Sequence, residues 1–373
     1  MPIKISHQFD AGAIEVVQTN DPQQIDLRLR KDSHADITQW FYFRLQGARG
    51  TACSLRFLNA GEATYSGGWE NYAAVASYDR ESWFRVPTSY ADGIMTIAHT
   101  PERDSVYYAY FEPYSWERHL QLLGHAEKSA HARVIDLGST VDGRDLNAIV
   151  IGNPNAVKKI WVIARQHPGE TMAEWFVEGM VGALLDANNP IARRILERAV
   201  WYIVPNMNPD GSVRGNLRTN AAGANLNREW MTPSLQNSPE VFAVKQKLHE
   251  TGCDLFLDIH GDEALPYVFV AGSEMLEGFS PEQGAQQARF LEQFVQASPD
   301  FQTKVGYAPS KYREEVLKLA SKYVAHNFKC ISLTLEMPFK DNAILPDAQV
   351  GWNGDRSAKL GAAILQPVLD ALG

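Results

Sequence analysis

Four apolar runs of strand length recur after about residue 125, and segments with a helical pattern separate them. The runs are 159–166, 199–206, 253–260 and 330–337. The helical patterns between and beside them cover 171–186, 239–251, 284–297 and 310–325. Alternation of buried strands and helices is typical of a mostly parallel sheet with helices on both faces. This α/β order constrains the fold more than any other feature of the chain.

The first part of the chain has a different pattern, with short alternating segments separated by turn residues. Aromatic and β-branched residues are concentrated in these segments, which cover 40–47, 53–61, 82–87, 93–100 and 106–114. Several short strands at close spacing predict an all-β sandwich. A helical stretch at 113–125 then leads into the α/β part. We therefore predict an N-terminal β-sandwich domain over 1–122, followed by an α/β catalytic domain over 123–373.

Charge and composition exclude several classes of function. The 373-residue chain has a net charge of −9, so no overall basic field is available for nucleic acid or anionic lipid. No run of about 18 apolar residues, long enough to span a membrane, occurs in it. Its three cysteines are far apart and form no CxxC pair, which suits a reducing compartment. We expect a cytoplasmic protein that binds neither nucleic acid nor membrane.

Polar side chains follow or end each of the four apolar runs. The first run leads into "HPGE", with His167 and Glu170, and the second leads into the turn "NMNPDG" (206–211). The third run ends in His260, and the fourth contains Glu336 close to its end. Ligands of open α/β sheets bind beyond the carboxyl ends of the strands. We therefore expect these side chains to meet at one edge of the sheet.

The residue types at this edge suit a hydrolytic zinc site. Such a site needs three protein ligands, typically imidazole and carboxylate, and leaves a fourth position for water. His167, Glu170 and His260 meet this requirement, and the Pro-Gly between the first two lets one loop turn sharply and supply both. Glu336 remains as a general base for the water and as a proton carrier to the leaving amine.

Two arginines lie in the segment "NLRTNAAGANLNREW", namely Arg218 and Arg228, which follows Asn227. A guanidinium group suits carboxylates and developing oxyanions because its donors form a fixed fork. Each of these features also has a simpler explanation, such as a helix start, a buried histidine, a β-turn or a solvated arginine. Their joint occurrence, in order and at strand ends, favours the metal site.

The order "HPGE … NPDG … R … NLNR … DIHG … TLE" resembles that of the M14 zinc metallocarboxypeptidases. "HPGE", "DIHG" and "TLEMPF", behind an N-terminal β-domain, are most similar to the cytosolic carboxypeptidase (Nna1-like, deglutamylase) subfamily in a compact bacterial form. The resemblance covers nearly the whole chain and is strongest from about residue 125, including "STVDGRDLNAIVIG" (139–152). It implies a carboxypeptidase-like mixed, mostly parallel sheet flanked by helices.

The resemblance also implies roles for individual residues and one bound zinc ion. Glu336 matches the general base and acid, and Arg218 matches the arginine that polarises the scissile carbonyl and stabilises the oxyanion. Asn227 and Arg228 match the pair that holds the C-terminal α-carboxylate of the substrate. The zinc ligands would be His167, Glu170 and His260. The expected reaction is removal of the C-terminal residue of a peptide or protein tail by metal-activated water.

Two features of the family have several candidate positions in this chain. The mobile tyrosine of the better-known members lies upstream of the catalytic glutamate, and the candidates are Tyr307, Tyr312 and Tyr323. The residue at the base of the side-chain pocket is basic in glutamate-preferring members. Lys322 aligns nearest to that position, and the rivals are Lys318 and Arg313. Preference for a C-terminal or side-chain-linked glutamate is therefore a hypothesis that rests on the resemblance.

Two other functions use the same residues. An aspartoacylase-like zinc deacylase of N-acyl amino acids has a similar metal triad, but the "NLNR" pair and the length of the catalytic domain favour peptides. A non-catalytic module could bind acidic C-terminal tails through Arg218 and Arg228. Glu336 argues against that module, because a binder has no need of a general base in an apolar strand. We expect the β-domain to lie beside the entrance of the site, and the oligomeric state stays open.

Overall fold

The first part of the chain forms two five-stranded sheets in the computed structural model, which describes residues 2–308 and 311–373. The sheets have the orders β1-β4-β10-β6-β7 and β2-β3-β5-β9-β8, and their strand pairs are antiparallel except β3 with β5. The strands are β1 Lys4–Ser6, β2 Glu15–Gln18, β3 Ile25–Arg28, β4 Tyr42–Gln46, β5 Cys53–Phe57, β6 Val75–Ser77, β7 Trp83–Arg85, β8 Thr88–Ala91, β9 Ile94–His99 and β10 Ser105–Ala109.

Alternation along these strands builds the core between the two sheets. In β5 the buried residues are Cys53, Leu55 and Phe57, and the residues between them are half-buried, as a period of two requires. The rings of Phe41 and Phe57 pack with their centroids 4.8 Å apart. The predicted β-rich N-terminal domain is therefore confirmed.

Within the described residues, the second part forms a seven-stranded sheet of order β11-β12-β14-β13-β15-β17-β16. The four strands β14, β13, β15 and β17 are mutually parallel and buried, and the pairs at the two sides are antiparallel. The strands are β11 Ala132–Ser139, β12 Asp145–Ile151, β13 Lys158–Ala164, β14 Ala199–Val204, β15 Leu255–Asp262, β16 Phe269–Ala271 and β17 Ile331–Pro338. The predicted mixed sheet is confirmed.

Helices pack around this sheet, and four of those in the described residues lie close to segments that the sequence predicts as helical. Their bounds are α1 Trp116–Ala126, α2 Met172–Leu185, α3 Pro190–Leu196, α4 Pro209–Arg214, α5 Pro239–Thr251, α6 Pro281–Ala297, α7 Ala320–Phe328, α8 Gly354–Ala363 and α9 Leu365–Ala371. None of the helices in the described ranges is long and apolar enough to cross a membrane.

The helix predicted over 310–325 is wrong in its extent. Residue 310 lies outside the described residues, Glu314–Lys318 forms a 3₁₀ turn, and α7 begins only at Ala320. Leu319 is extended, with ψ of 137°, so the helix cannot run through it. The Asn227 side chain accepts a hydrogen bond from the Ala320 backbone N–H at 2.9 Å, which anchors the start of α7 from another segment.

The two domains meet along the carboxyl edge of the seven-stranded sheet. The Tyr110 ring stacks on Phe339, just beyond β17, with centroids 4.4 Å apart. Arg85 donates hydrogen bonds to the backbone carbonyls of Phe339 and Trp352. The predicted domain boundary after residue 122 falls inside α1 and stays a prediction.

Candidate active site

One cavity of about 1230 Å³ opens at the carboxyl edge of the parallel strands. Side chains from both domains line it, and they include all eight site residues proposed from the sequence. These are His167, Glu170, Arg218, Asn227, Arg228, His260, Lys322 and Glu336. The structure therefore brings together residues that are spread over 170 positions of the chain.

The HPGE loop connects β13 to α2 and supplies the first two of these residues. It leaves β13 through Arg165, whose positive φ of 58° redirects the backbone, and the Glu170 N–H donates to the His167 carbonyl across a turn. A Cβ at Gly169 would lie only 2.8–2.9 Å from atoms of Leu217. Glycine is therefore needed here for close packing against the neighbouring segment, in addition to the sharp turn predicted from the sequence.

The Glu170 carboxylate lies between the two histidines. Its two oxygens are each 2.7 Å from a ring nitrogen, one from His167 Nδ1 and the other from His260 Nδ1. All three side chains are buried, and their ligand atoms lie within 4.8 Å of one another. Burial, followed by the charge of Arg218, lowers the pKa of His167 to about 4, so its imidazole is neutral near pH 7.

The other ring nitrogen of each histidine has a partner that fixes the ring. His167 Nε2 lies 3.1 Å from Asn225 Oδ1, and His260 Nε2 lies 2.9 Å from Asp258 Oδ1. Partners of this kind orient metal-binding histidines and set which nitrogen carries the proton. The sequence analysis missed both. Asp258 lies two residues before His260 on β15, so strand alternation places the two on one face and could have revealed it.

Glu336 lies on β17 directly opposite His260 in the strand register. It is buried, and its Oε2 has no hydrogen-bond partner within the part of the chain that is described. Burial raises the pKa of Glu336 well above its usual value, and the nearby His260 offsets this only in part. A buried carboxyl with a free oxygen in a cavity is able to hold and release a proton.

The two arginines and Asn227 also line the cavity. The Arg218 guanidinium lies over the ring of Tyr65, 5.3 Å from its centroid. Arg228 donates a 2.7 Å hydrogen bond to the Asn227 carbonyl, and Asn227 Nδ2 is 3.3 Å from His260 Nε2. The Asn227 amide is thus engaged with the metal-binding histidine as well as with α7.

Lys322 lies in the first turn of α7 and is only 4% exposed. Its Nζ donates to the backbone carbonyls of Ala271 and Gly272. Burial lowers the pKa of Lys322 to about 8, and Glu274, Asp258 and Glu336 act in the opposite direction. The rivals Lys318 and Arg313 are not among the described residues that line the cavity.

Of the three candidate tyrosines, the cavity lining includes Tyr307. Its hydroxyl donates a 2.7 Å hydrogen bond to Asp262 Oδ2, and the side chain is half exposed. The hydroxyl of Tyr323 instead lies 2.8 Å from His249, and neither Tyr323 nor Tyr312 is among the described lining residues. The structure therefore favours Tyr307 for a tyrosine that contacts substrate.

Glu263 is a cavity residue that the sequence analysis missed. It is buried, and its Oε1 has no hydrogen-bond partner among the residues described. Burial, followed by the charge of Glu170, raises the pKa of Glu263 to about 8. Gly68 of the β-domain packs against it, so closely that a Cβ there would lie 3.1 Å from the Glu263 carbonyl oxygen. Its burial depends on the other domain, which no local pattern reveals.

Two family models match the chain. One describes a cytosolic carboxypeptidase N-terminal domain and matches residues 5–111, and the other describes a zinc carboxypeptidase of type M14 and matches residues 117–354. The chain belongs to the M14 zinc carboxypeptidase family. The family predicted from the sequence motifs is thus confirmed, and with it the assignment as a hydrolase that acts on peptides.

Solved structures and curated relatives agree with M14 membership. A metallo-carboxypeptidase from Burkholderia cenocepacia is 60% identical, with a TM-score of 0.98 and 99% of each chain covered. One from Pseudomonas aeruginosa, in complex with (2-guanidinoethylmercapto)succinic acid, is 43% identical, with a TM-score of 0.97 and 99% and 100% of the chains covered. Human cytosolic carboxypeptidase 1 is 28% identical over 74% of this chain, which spans about 26% of the human protein.

M14 zinc carboxypeptidases use zinc, and the residues of this chain fit that ion. Two imidazole nitrogens and a carboxylate converge within 4.8 Å, which is the donor set of a catalytic zinc site. The lowered pKa of His167 favours the neutral ring that binds metal, whereas for His260 the effect of burial is outweighed by the carboxylates of Asp258 and Glu170, which raise the pKa. The Asp258 and Asn225 contacts supply the outer support that such ligands require. Zinc as the cofactor is therefore confirmed at the level of the family.

Proposed function

We propose that this M14 zinc carboxypeptidase removes the C-terminal residue of peptides or protein tails in the cytoplasm. The observation that carries the proposal is the set of side chains that line this cavity. It combines the buried donor set His167, Glu170 and His260, a buried carboxyl with a free oxygen, and two guanidinium groups. Hydrolysis of a C-terminal peptide bond needs each of these groups.

Glu336 is the proposed general base and general acid. His167, Glu170 and His260 would hold zinc, and that ion would supply the Lewis acidity that makes a water nucleophilic near neutral pH. The free Oε2 of Glu336 accepts a proton from the attacking water and passes it to the leaving amine nitrogen.

In this proposal Arg218, Asn227 and Arg228 position the substrate. Arg218 stabilises the negative charge that develops on the scissile carbonyl oxygen. Arg228, which is joined to Asn227 through a 2.7 Å hydrogen bond, binds the terminal α-carboxylate through its fork of donors. A site that must pair this carboxylate accepts only chain ends, which is the definition of an exopeptidase.

The size of the cavity favours peptides over N-acyl amino acids. Sites for small molecules usually enclose about 300–1,000 Å³. The cavity here is larger, at about 1230 Å³, and residues of both domains line it. Glu336 favours an enzyme over a module that only binds acidic tails. Burying a carboxyl without a partner costs free energy, and a general base gives a reason for that cost whereas tail binding does not.

Lys322 supports an acidic C-terminal side chain as the preferred substrate, glutamate above all. Its ammonium group is the buried cation of the cavity wall formed by β16 and α7. The compound bound by the Pseudomonas aeruginosa relative carries two carboxylates and one guanidinium. We expect its carboxylates to bind this chain as well, through Arg218 and Arg228. Glu274 also lines the cavity, so basic side chains are the competitors that a substrate panel must include.

The test is to measure bound metal by elemental analysis and then assay the wild type and Glu336→Gln. The panel holds peptides that end in Glu, Arg and Leu, together with N-acyl amino acids. We expect release of single C-terminal residues by the wild type, and a fall in kcat of about 10²–10⁴-fold in Glu336→Gln with zinc retained. Cleavage of the acyl amino acids alone would assign the protein to the deacylases. A zinc-loaded wild type without turnover on any substrate would favour the binding module.

A further inference from the structure

Two side chains of the β-domain hold the segment that carries Arg218. Asp32 is 5% exposed and accepts backbone hydrogen bonds from Leu217, Arg218 and Thr219, at 2.7, 2.8 and 2.9 Å. The Thr219 hydroxyl donates a fourth, at 3.1 Å. A carboxylate that accepts four hydrogen bonds fixes the path of this backbone. If the segment moved away, the donors would lose their partner and the buried carboxylate would be left without compensation.

Tyr65 holds the side chain of the same arginine. Its ring face lies under the Arg218 guanidinium at 5.3 Å, within the distance at which the cation is attracted to the ring quadrupole. Tyr65 also lines the cavity, so the pair lies where the substrate binds.

The backbone of Tyr65 is itself held in place. The buried Gln39 side chain accepts a 3.0 Å hydrogen bond from the Tyr65 N–H and donates one to the Tyr65 carbonyl. Tyr65 comes directly before the 3₁₀ helix Ser66–Trp69, which packs through Gly68 against Glu263. The position from which the ring extends is thus fixed by contacts within the β-domain and with Glu263.

We infer that Tyr65 and Asp32 are positioning residues for Arg218, so that the β-domain is a structural part of the catalytic site. The inference rests on the proposed function, since it takes Arg218 to be the group that stabilises the oxyanion. A guanidinium held in place before the reaction needs no reorganisation as the charge develops, and that is the condition under which it accelerates the reaction most. The two residues act through Arg218 and have no reacting atom of their own.

A double-mutant cycle between Tyr65 and Arg218 tests this inference. Tyr65→Leu removes the ring face, whereas Tyr65→Phe keeps the ring and removes only the hydroxyl. We expect Tyr65→Leu to lower kcat by about two- to thirty-fold, the range that corresponds to measured cation–π energies, with a smaller change in KM. Tyr65→Phe should stay near the wild-type kcat. Tyr90→Leu, at an exposed position on β8, is the matched control and should leave kcat unchanged.

The arginine variant decides whether Tyr65 acts through Arg218. In an Arg218→Ala background, Tyr65→Leu should cause no further loss, because the group that it positions is gone. Equal losses in the two backgrounds, or an unchanged kcat in Tyr65→Leu alone, would overturn the inference. If Tyr65→Leu does not fold, Tyr65→Met takes its place in the cycle, because it also lacks the aromatic ring.

A binding measurement separates failure of this inference from failure of the proposed function. The probe is a peptide whose scissile amide is replaced by a phosphonate, which carries the negative charge of the tetrahedral state. If the wild type cleaves no peptide, but Arg218→Ala and Tyr65→Leu both weaken binding of this probe, the hydrolytic function fails and the positioning role stands. If Tyr65→Leu binds the probe as tightly as the wild type does, the positioning role fails.

Discussion

The HPGE loop and the Arg218 segment pack against each other at one cavity, where the Gly169 N–H donates to the Leu217 carbonyl at 2.8 Å, but each is also held by a different part of the molecule. Behind the HPGE loop lies a buried network that joins the end of β13 and helix α2 to helix α1. There Glu174 binds Arg165 and His119, each at 2.6 Å, and Arg165 binds the Pro168 carbonyl within the loop. The Arg218 segment, in contrast, has Asp32 and Tyr65 of the β-domain as its supports.

Metal binding and charge stabilisation usually change together in an active site, but here different contacts support them. The metal donors depend on contacts close to the seven-stranded sheet, so damage there should reduce zinc binding and stability. The arginine depends on contact between domains, so damage there should reduce the rate while zinc stays bound. Variants on each side can therefore show whether metal binding and charge stabilisation are independent.

The largest effect is expected from Arg165→Met on the metal side. The change leaves Glu174 buried without its arginine, and loss of one partner of a buried pair costs about 3–5 kcal/mol of the free energy of unfolding. We also expect zinc affinity to fall about tenfold, because the Pro168 carbonyl loses its donor. Guanidinium chloride unfolding and zinc titration measure both quantities. Arg194→Met, which breaks the exposed pair with Glu197, is the control and should cost less than about 1 kcal/mol.

Asp32→Asn should have the second largest effect, on the rate and not on zinc binding. One carboxylate oxygen becomes an amide nitrogen, which cannot accept from the backbone N–H groups of the Arg218 segment. Hydrogen bonds to a charged group contribute about 1.5–3 kcal/mol. We expect kcat to fall by about ten- to a hundredfold in steady-state assays, in line with that energy, while the zinc content is unchanged. A loss of zinc in proportion to activity would show that the two sides of the cavity are not independent.

The smallest effect is expected on KM and concerns Lys322, which belongs to neither the HPGE loop nor the Arg218 segment. As the pH rises through about 8, the group loses its charge, and KM for a Glu-ending peptide should rise about five- to tenfold. The charged groups that face it are Glu274, Asp258 and Glu336. A Leu-ending peptide is the control substrate, and Lys322→Met should remove the difference between the two. Parallel pH profiles for both peptides in the wild type would exclude Lys322 from the side-chain pocket.

The same lowered pKa predicts how stability depends on pH. Lys322 binds its proton up to the ordinary pKa of 10.5 in the unfolded chain, but only up to about 8 in the folded protein. Between these values the unfolded state binds more protons, so the contribution of this group to the free energy of unfolding rises with pH. Denaturation of the wild type and Lys322→Met at pH 7.5 and pH 10 measures it. A constant difference between the two proteins would contradict the shift.

The strand ends and the metal donors could be predicted because their signals are local. His167, Glu170, His260 and Glu336 each end or follow an apolar run, and parallel strands deliver their carboxyl ends to one edge. Tyr65 and Asp32 could not be found in this way, because they act across a domain interface and more than 150 positions away from Arg218. The break before α7 was missed for a similar reason, since Leu319 is helix-compatible by type and the anchor at Asn227 is distant in sequence.

One amide group connects parts of the site that a protein engineer would want to change separately. Asn227 touches the metal-binding His260 through Nδ2, and through Oδ1 it receives the first N–H of the helix that carries Lys322. A library that randomises position 227 would therefore alter cofactor binding and side-chain preference in the same clones. Selection for a new C-terminal residue is better started at Lys322 and Thr334, which line the cavity, with Asn227 kept as the common anchor.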